Sequence, residues 1–176
     1  MEKRRQKMNK TESRLTAEAA LLNQYLSQYK YCIDKKKSLE NRRSEIVKEL
    51  DCPFGAVKMD GMPRGSRSVE GFSAIFFRLD EIDTKIKEQI ETAAKMLSDI
   101  MNVIDFLPEN SLERSIIENR YIDRYSWEMV CRENHISRTP ATKSWRKGLY
   151  MLLEFKKVRQ ILKEYQDGKE KDRECL

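Results

Sequence analysis

Residues 126–153 read SWEMVCRENHISRTPATKSWRKGLYMLL, and the fold turns on whether they form two short helices joined by a tight turn. Ser126 is a suitable cap for a first helix, with Glu128 and Met129 in its first turn, because a serine oxygen satisfies N–H groups that have no partner inside a helix. Cys131 is small enough to let a second helix approach, and Val130 and Ile136 flank it with apolar surface. Ser137 caps the second helix. Ala141, Trp145, Leu149 and Leu152 then recur on its inward face, and Arg138, Thr139, Thr142, Lys143, Arg146 and Lys147 lie on the outward face or its edges. Pro140 falls third in this helix, inside the first turn, where a missing N–H costs little compared with about 3 kcal/mol or more in a helix interior. His135 occupies a turn position that calls for positive φ, and histidine is one of the non-glycine types enriched there. Asn134, where an apolar residue would pack better, and Ser144, on the inward face, fit the pattern less well. The spacing predicts a helix-turn-helix; a plain pair of packed helices with a solvated basic face fits it as well.

Charge sharpens the first reading. Residues 137–163 hold eight Lys/Arg and one acid, Glu154, so this one stretch carries more net charge than the +6 of the whole chain. A basic helix gains from counterion release on a phosphate backbone, and side chains near its start can read base edges. On this reading double-stranded DNA is the partner: Arg138, Thr139, Thr142, Lys143 and Arg146 approach bases, whereas Lys147, Lys156 and Lys157 favour phosphates.

Outward from this segment the chain reads as helical throughout. Pro108 ends a preceding helix, Asn110 or Ser111 caps the next, and Leu112, Ile116, Ile117 and Tyr121 give it a buried face. Residues 73–106 carry Ile75, Leu79, Ile82, Ile86, Ala93, Leu97, Ile100 and Ile104 on one seam, extended by Ile90 in steps of seven. Residues 51–73 hold four of the six glycines and two of the four prolines and read as a long loop. Residues 15–50 have neither residue type, and Leu15, Ala19, Leu22, Leu26, Tyr29 and Ile33 form a stripe that resumes, shifted, at Leu39, Ile46 and Leu50. The expected fold is all-α: a long antiparallel helical hairpin, coiled-coil-like, followed by a C-terminal helix-turn-helix domain. Its parts are a basic flexible N-terminus at 1–14, the hairpin at 15–106 with its loop at 51–73, the C-terminal domain at 107–165 with its last helix running from Ser137 to about Tyr165, and a polar tail at 166–176. Such a hairpin leaves one side open, so a homo-oligomer is expected. The N-terminal stretch MEKRRQKMNKTESR has six basic and two acidic residues and reads either as a solvated end or as a nucleic-acid-binding arm.

Composition excludes several classes. No run of 18 apolar residues is present, and the N-terminus lacks the apolar stretch of a secretory signal, so a cytoplasmic protein with no membrane partner is expected. Cys32, Cys52, Cys131 and Cys175 form no CxxC pair, and His135 is the single histidine; free thiols are expected, with no metal site. GMPRGS lacks the ending of a phosphate loop. Carboxylates such as Glu81, Asp83, Glu88 and Glu91 read as solvated helix exteriors. No catalytic residue and no cofactor is expected, and the chain does not read as an enzyme.

The segment LERSIIENRYIDRYSWEMVCRENHISRTPATKSWRKGLYMLL resembles region 4 of bacterial sigma factors, with Tyr121-Ile122, Ser126-Trp127-Glu128, Ile136-Ser137 and Gly148-Leu149 in register. With the loop MDGMPRGSRS and the segment RLDEIDTKI, the chain is similar to small prophage-encoded, sigma-like transcriptional regulators of the ArpU/RinA-like type. It departs at Met129-Val130-Cys131, His135 and Pro140-Ala141, and it has no aromatic-rich segment of the kind with which full sigma factors melt promoter DNA. The resemblance implies a sequence-specific phage or prophage late-gene activator that acts with host RNA polymerase. Two alternatives stay open: a small-terminase-type DNA-packaging protein, and a coiled-coil adaptor that binds protein.

Overall fold

The computed structural model describes residues 15–51 and 69–174, and these are helical with no strand among them: α1 Ala17–Leu26, α2 Gln28–Asp51, α3 Val69–Ile104, α4 Leu112–Tyr121, α5 Trp127–Glu133, α6 Arg138–Glu154 and α7 Lys156–Glu174. The expected N-terminal arm at 1–14 and most of the expected loop, 52–68, lie outside the described residues. No described helix is long and apolar enough to cross a membrane.

Caps explain three of the helix starts. Thr16, Ser111 and Ser126 each accept a hydrogen bond from the backbone N–H three residues on, at Ala19, Arg114 and Met129. This is the geometry in which a short hydroxyl side chain replaces the missing intrahelical acceptor.

The chain divides into two compact units at Lys30/Tyr31 and Ala94/Lys95, rather than at the expected boundary near 106. The unit made of residues 31–51 and 69–94 has a thin core. Ile46, Ile82 and Ala93 are buried with Gln89, while Tyr31, Phe76 and Phe77 are exposed. Arg43 of α2 reaches Asp83 of α3 through two hydrogen bonds, at 2.5 and 3.3 Å. Ile90, expected on the buried seam, is exposed; Gln89 is buried instead. The expected start of α3 near Ser73 moves to Val69, so Gly71 is inside the helix.

The other unit, residues 15–30 and 95–174, contains one continuous core. Ala19, Leu22 and Leu26 of α1 pack into it with Ile100 and Ile104 of α3, Ile116 and Ile117 of α4, Val130 of α5, Leu149 and Leu152 of α6, and Val158 and Leu162 of α7. The first part of the stripe that begins at Leu15 is therefore buried in the C-terminal unit and not in a hairpin. The expected helix over 15–50 is interrupted at Ser27, whose hydroxyl donates to Asn23 O at 2.7 Å. A serine that bonds back to the carbonyl four residues earlier competes with the helix ladder and bends it.

The expected single helix from Ser137 to about Tyr165 is also broken. Phe155 has extended backbone, with φ −79° and ψ 125°, and its ring lies 5.0 Å from that of Phe106. The chain turns there so that α7 can return to the core. Tyr165 of α7 meets Tyr25 of α1 edge-on at 5.4 Å, and burial, with Asp99 nearby, pushes the Tyr25 hydroxyl up to about 12. The expected polar tail continues as helix to Glu174. Leu112 is exposed and leaves the buried face of α4 to Ile116, Ile117 and Tyr121.

Two contacts fix α6 against α4. The Trp145 indole N–H donates to the Tyr121 hydroxyl at 3.0 Å, which in turn donates to Asn23 Oδ1 of α1 at 2.6 Å. Gly148 provides the space: a Cβ there would stand 2.6 Å from Ile117 Cδ1 and 3.2 Å from Glu113 Cβ. Tyr121→Phe strands a buried indole N–H and should cost about 1–3 kcal/mol, read as a lower denaturation midpoint with an unchanged m-value. Gly148→Ala gains about 1 kcal/mol in helix propensity but overpacks a filled site at about 1–3 kcal/mol. Its Tm should fall, and that of Gly148→Val should fall further.

Candidate nucleic-acid interface

The turn between α5 and α6 is built from backbone hydrogen bonds. Ile136 N–H donates to Cys131 O at 3.0 Å and His135 N–H to Arg132 O at 3.2 Å. With Asn134 as the C-cap, these are the two bonds of a Schellman closure, which requires a left-handed residue at the position of His135. His135 has φ 52°. Ile136 and Cys131, the pair whose side chains accompany such a closure, both pack against the core. Asn134 is not the weak point that its polarity suggests: its amide donates to Val130 O at 2.9 Å, and its Oδ1 accepts from Ser115 Oγ of α4 at 2.8 Å.

Ser137 sits at the N-cap of α6, as expected, but its side chain makes no cap bond. The other capping hydroxyls of this chain bond the N–H three residues on. From Ser137 that position is Pro140, which has no N–H to give. Pro140 fits the first turn sterically but removes the donor that the cap would use.

The face of α6 follows from its period. Ala141, Trp145, Gly148, Leu149 and Leu152 are buried. Thr139, Lys143, Arg146 and Tyr150 recur at steps of four, three and four on the opposite side. Of these, Thr139, Lys143 and Tyr150 are exposed and Arg146 is half-buried. Thr142 donates its hydroxyl to Arg138 O at 2.9 Å.

Arg138 and Lys147, both expected contact residues, also have partners within the fold. The Arg138 guanidinium lies over the Trp127 ring, 4.4 Å from its centroid, and burial lowers its proton affinity below that of an ordinary arginine. Lys147 donates to Glu113 Oε1 of α4 at 2.8 Å, although its side chain stays 67% exposed. Lys156 and Lys157 are exposed but begin α7 beyond the break at Phe155, so they do not extend the face of α6.

Sequence reasoning missed Arg120. Its guanidinium lies 5.3 Å from the same Trp127 ring, and it donates to Tyr125 O at 3.0 Å. Arg124 beside it has φ 58°. No glycine or asparagine marks that turn, so nothing local announced it. Trp127, at the start of α5, thus carries a guanidinium from each of two other helices, Arg120 of α4 and Arg138 of α6. Among the described residues no cluster of potential metal ligands occurs, and Cys32 and Cys131 are free thiols.

Comparisons with protein-family models, curated proteins and solved structures returned no match.

The Lys147 contact holds the Glu113 carboxyl below its ordinary value of 4.5. A carboxyl with a lowered folded-state pKa stabilises the fold above the ordinary carboxylate range, and that contribution is lost as pH falls through the folded value. Glu113→Gln should therefore melt below the parent at pH 7, and the gap should narrow towards pH 3, read by thermal denaturation at the two pH values.

Proposed function

We propose that this chain is a sequence-specific DNA-binding transcriptional regulator in which α5, its turn and α6 act as a helix-turn-helix. The observation that carries this reading is the stripe Thr139, Lys143, Arg146 and Tyr150 on the outer side of α6, directly opposite a face locked into the core. A helix held that firmly from behind can present its outer side chains to a major groove in fixed register. Thr139, Lys143 and Arg146 face bases, and Arg138, held on Trp127, stands at the groove edge. Lys147, Lys156 and Lys157 meet phosphates.

The resemblance of residues 112–153 to sigma region 4 supports the setting: a phage or prophage late-gene activator that works beside host RNA polymerase. Helices α2 and α3 supply a helical hairpin for self-association, and the exposed rings of Phe76 and Phe77 favour that role.

The test is anisotropy titration of duplexes selected from a random-sequence library. Lys143 is exposed, so Lys143→Ala should leave the melting curve unchanged, lower affinity for the selected duplex roughly ten-fold and relax preference at one or two base positions. Lys156→Ala with Lys157→Ala should weaken all duplexes alike and reduce the salt slope by about 0.9 for each lost phosphate contact. Parental affinity and selectivity in Lys143→Ala would sink the reading.

A further inference from the structure

A second exposed surface of the C-terminal unit carries cations without acids. Residues 155–163, from the break through the first half of α7, hold Lys156, Lys157, Arg159 and Lys163 and no carboxylate. The core fixes which way they point. Val158 and Leu162 are buried, with Ile161 and Tyr165 packed against the same core. By the helical period Lys156, Arg159 and Lys163 share the opposite side of α7, and all three are exposed. They stand three and four residues apart in a row about 10 Å long.

Charge spacing in this row differs from that of the other long helices. Lys36 meets Glu40 in α2 and Lys85 meets Glu81 in α3, each pair four residues apart. Opposite charges at that spacing steady an exposed helix, and like charges unsettle it by a similar amount. Arg159 and Lys163 are a like-charged pair at the same spacing, and Lys156 adds a third cation. Gln160, the uncharged residue between them, donates to Glu164 at 3.1 Å. The row works against the helix alone and suits a continuous anion outside it.

Position favours DNA as that anion. The Arg159 guanidinium donates to Glu154 O at 3.3 Å, back across the break, and lines a shallow open groove with Tyr150, the last member of the α6 stripe. Glu18 and Glu154 line the groove as well, so the cationic surface starts at Arg159 and runs along α7, not into the groove. A duplex whose bases meet α6 offers backbone charge on either side of the contact, at one phosphate for about every 1.7 Å of its axis.

We propose that Lys156, Arg159 and Lys163 form a phosphate-holding row, which continues the DNA contact from the end of the α6 stripe along one flank of the bound site. This rests on the DNA-binding reading of α6. The row adds affinity without sequence preference, and the α6 stripe adds the preference.

The test compares the full parent chain with Lys163→Gln and with Arg159→Gln plus Lys163→Gln on the selected duplex. Binding is followed across roughly 50–300 mM salt and by hydroxyl-radical footprinting. Lys35→Gln plus Lys37→Gln, at two exposed lysines of α2, is the control of equal charge. The slope of log affinity against log salt should become shallower by about 0.9 in the single variant and about 1.8 in the double one. The double variant should also lose protection at one flank, with the centre and the base preference kept, and the control should match the parent. An unchanged slope in the double variant, or an equal change in the control, overturns the proposal while the α6 reading stands. A shallower slope with both flanks still protected overturns the placement at the end of the stripe. If the parent itself binds no duplex, the α6 reading fails and the row proposal with it.

Discussion

The structure of the C-terminal unit depends on the Trp145 side chain. Its indole stands edge-on to Trp127 of α5, with centroids 5.6 Å apart and planes at 89°, and its N–H bonds the Tyr121 hydroxyl of α4, which bonds Asn23 of α1. One residue of α6 thus joins three other helices. Apolar burial holds a helix down but constrains its rotation weakly, because burial is non-directional. A buried hydrogen bond and an edge-to-face ring contact are directional and set that rotation. Gly148, nearly one turn later, lets α6 close onto Ile117. The outward position of the Thr139–Lys143–Arg146–Tyr150 stripe is a consequence of these inward contacts.

The start of α6 shows how local and tertiary chemistry replace one another. Pro140 removes the N–H that Ser137 would cap. Three other interactions hold the helix entry: the Schellman closure at His135 and Ile136, the Asn134–Ser115 hydrogen bond and the stacking of Arg138 on Trp127. Each reaches back to α4 or α5. The turn therefore gets its order from the helices around it, and a left-handed histidine, costly in isolation, is tolerated because both neighbouring amides are bonded.

Much of this was legible in the chain and some was not, for separable reasons. The caps at Ser111 and Ser126, the positive φ at His135, the third-position proline and the inward face Ala141, Trp145, Leu149 and Leu152 follow from chemistry within a few residues of each site. The break at Ser27 carried no glycine or proline, and serine inside a helix is ordinary unless its hydroxyl turns back onto Asn23. The break at Phe155 likewise has no local signal; it arises because Val158 and Leu162 are buried in the core. Asn134 looked like a packing defect until its partner on α4 was known. Arg120 looked like one more charge on a helix.

By itself the sequence determined an all-helical chain, the caps at Ser111 and Ser126 and the concentration of positive charge over residues 137–163, because these depend on period, composition and hydrogen bonding over one or two turns. The tertiary structure decided what each apolar stripe was buried against. The stripe from Leu15 to Leu26 announces only that one side must leave water, and burial does not specify the surface that receives it. The same holds for charge. Arg138, Lys143, Arg146 and Lys147 are alike as cations in the sequence, but Trp127 and Glu113 take two of them as partners and leave Lys143 outward. That choice is made by side chains distant in sequence, which only the packed fold brings within reach.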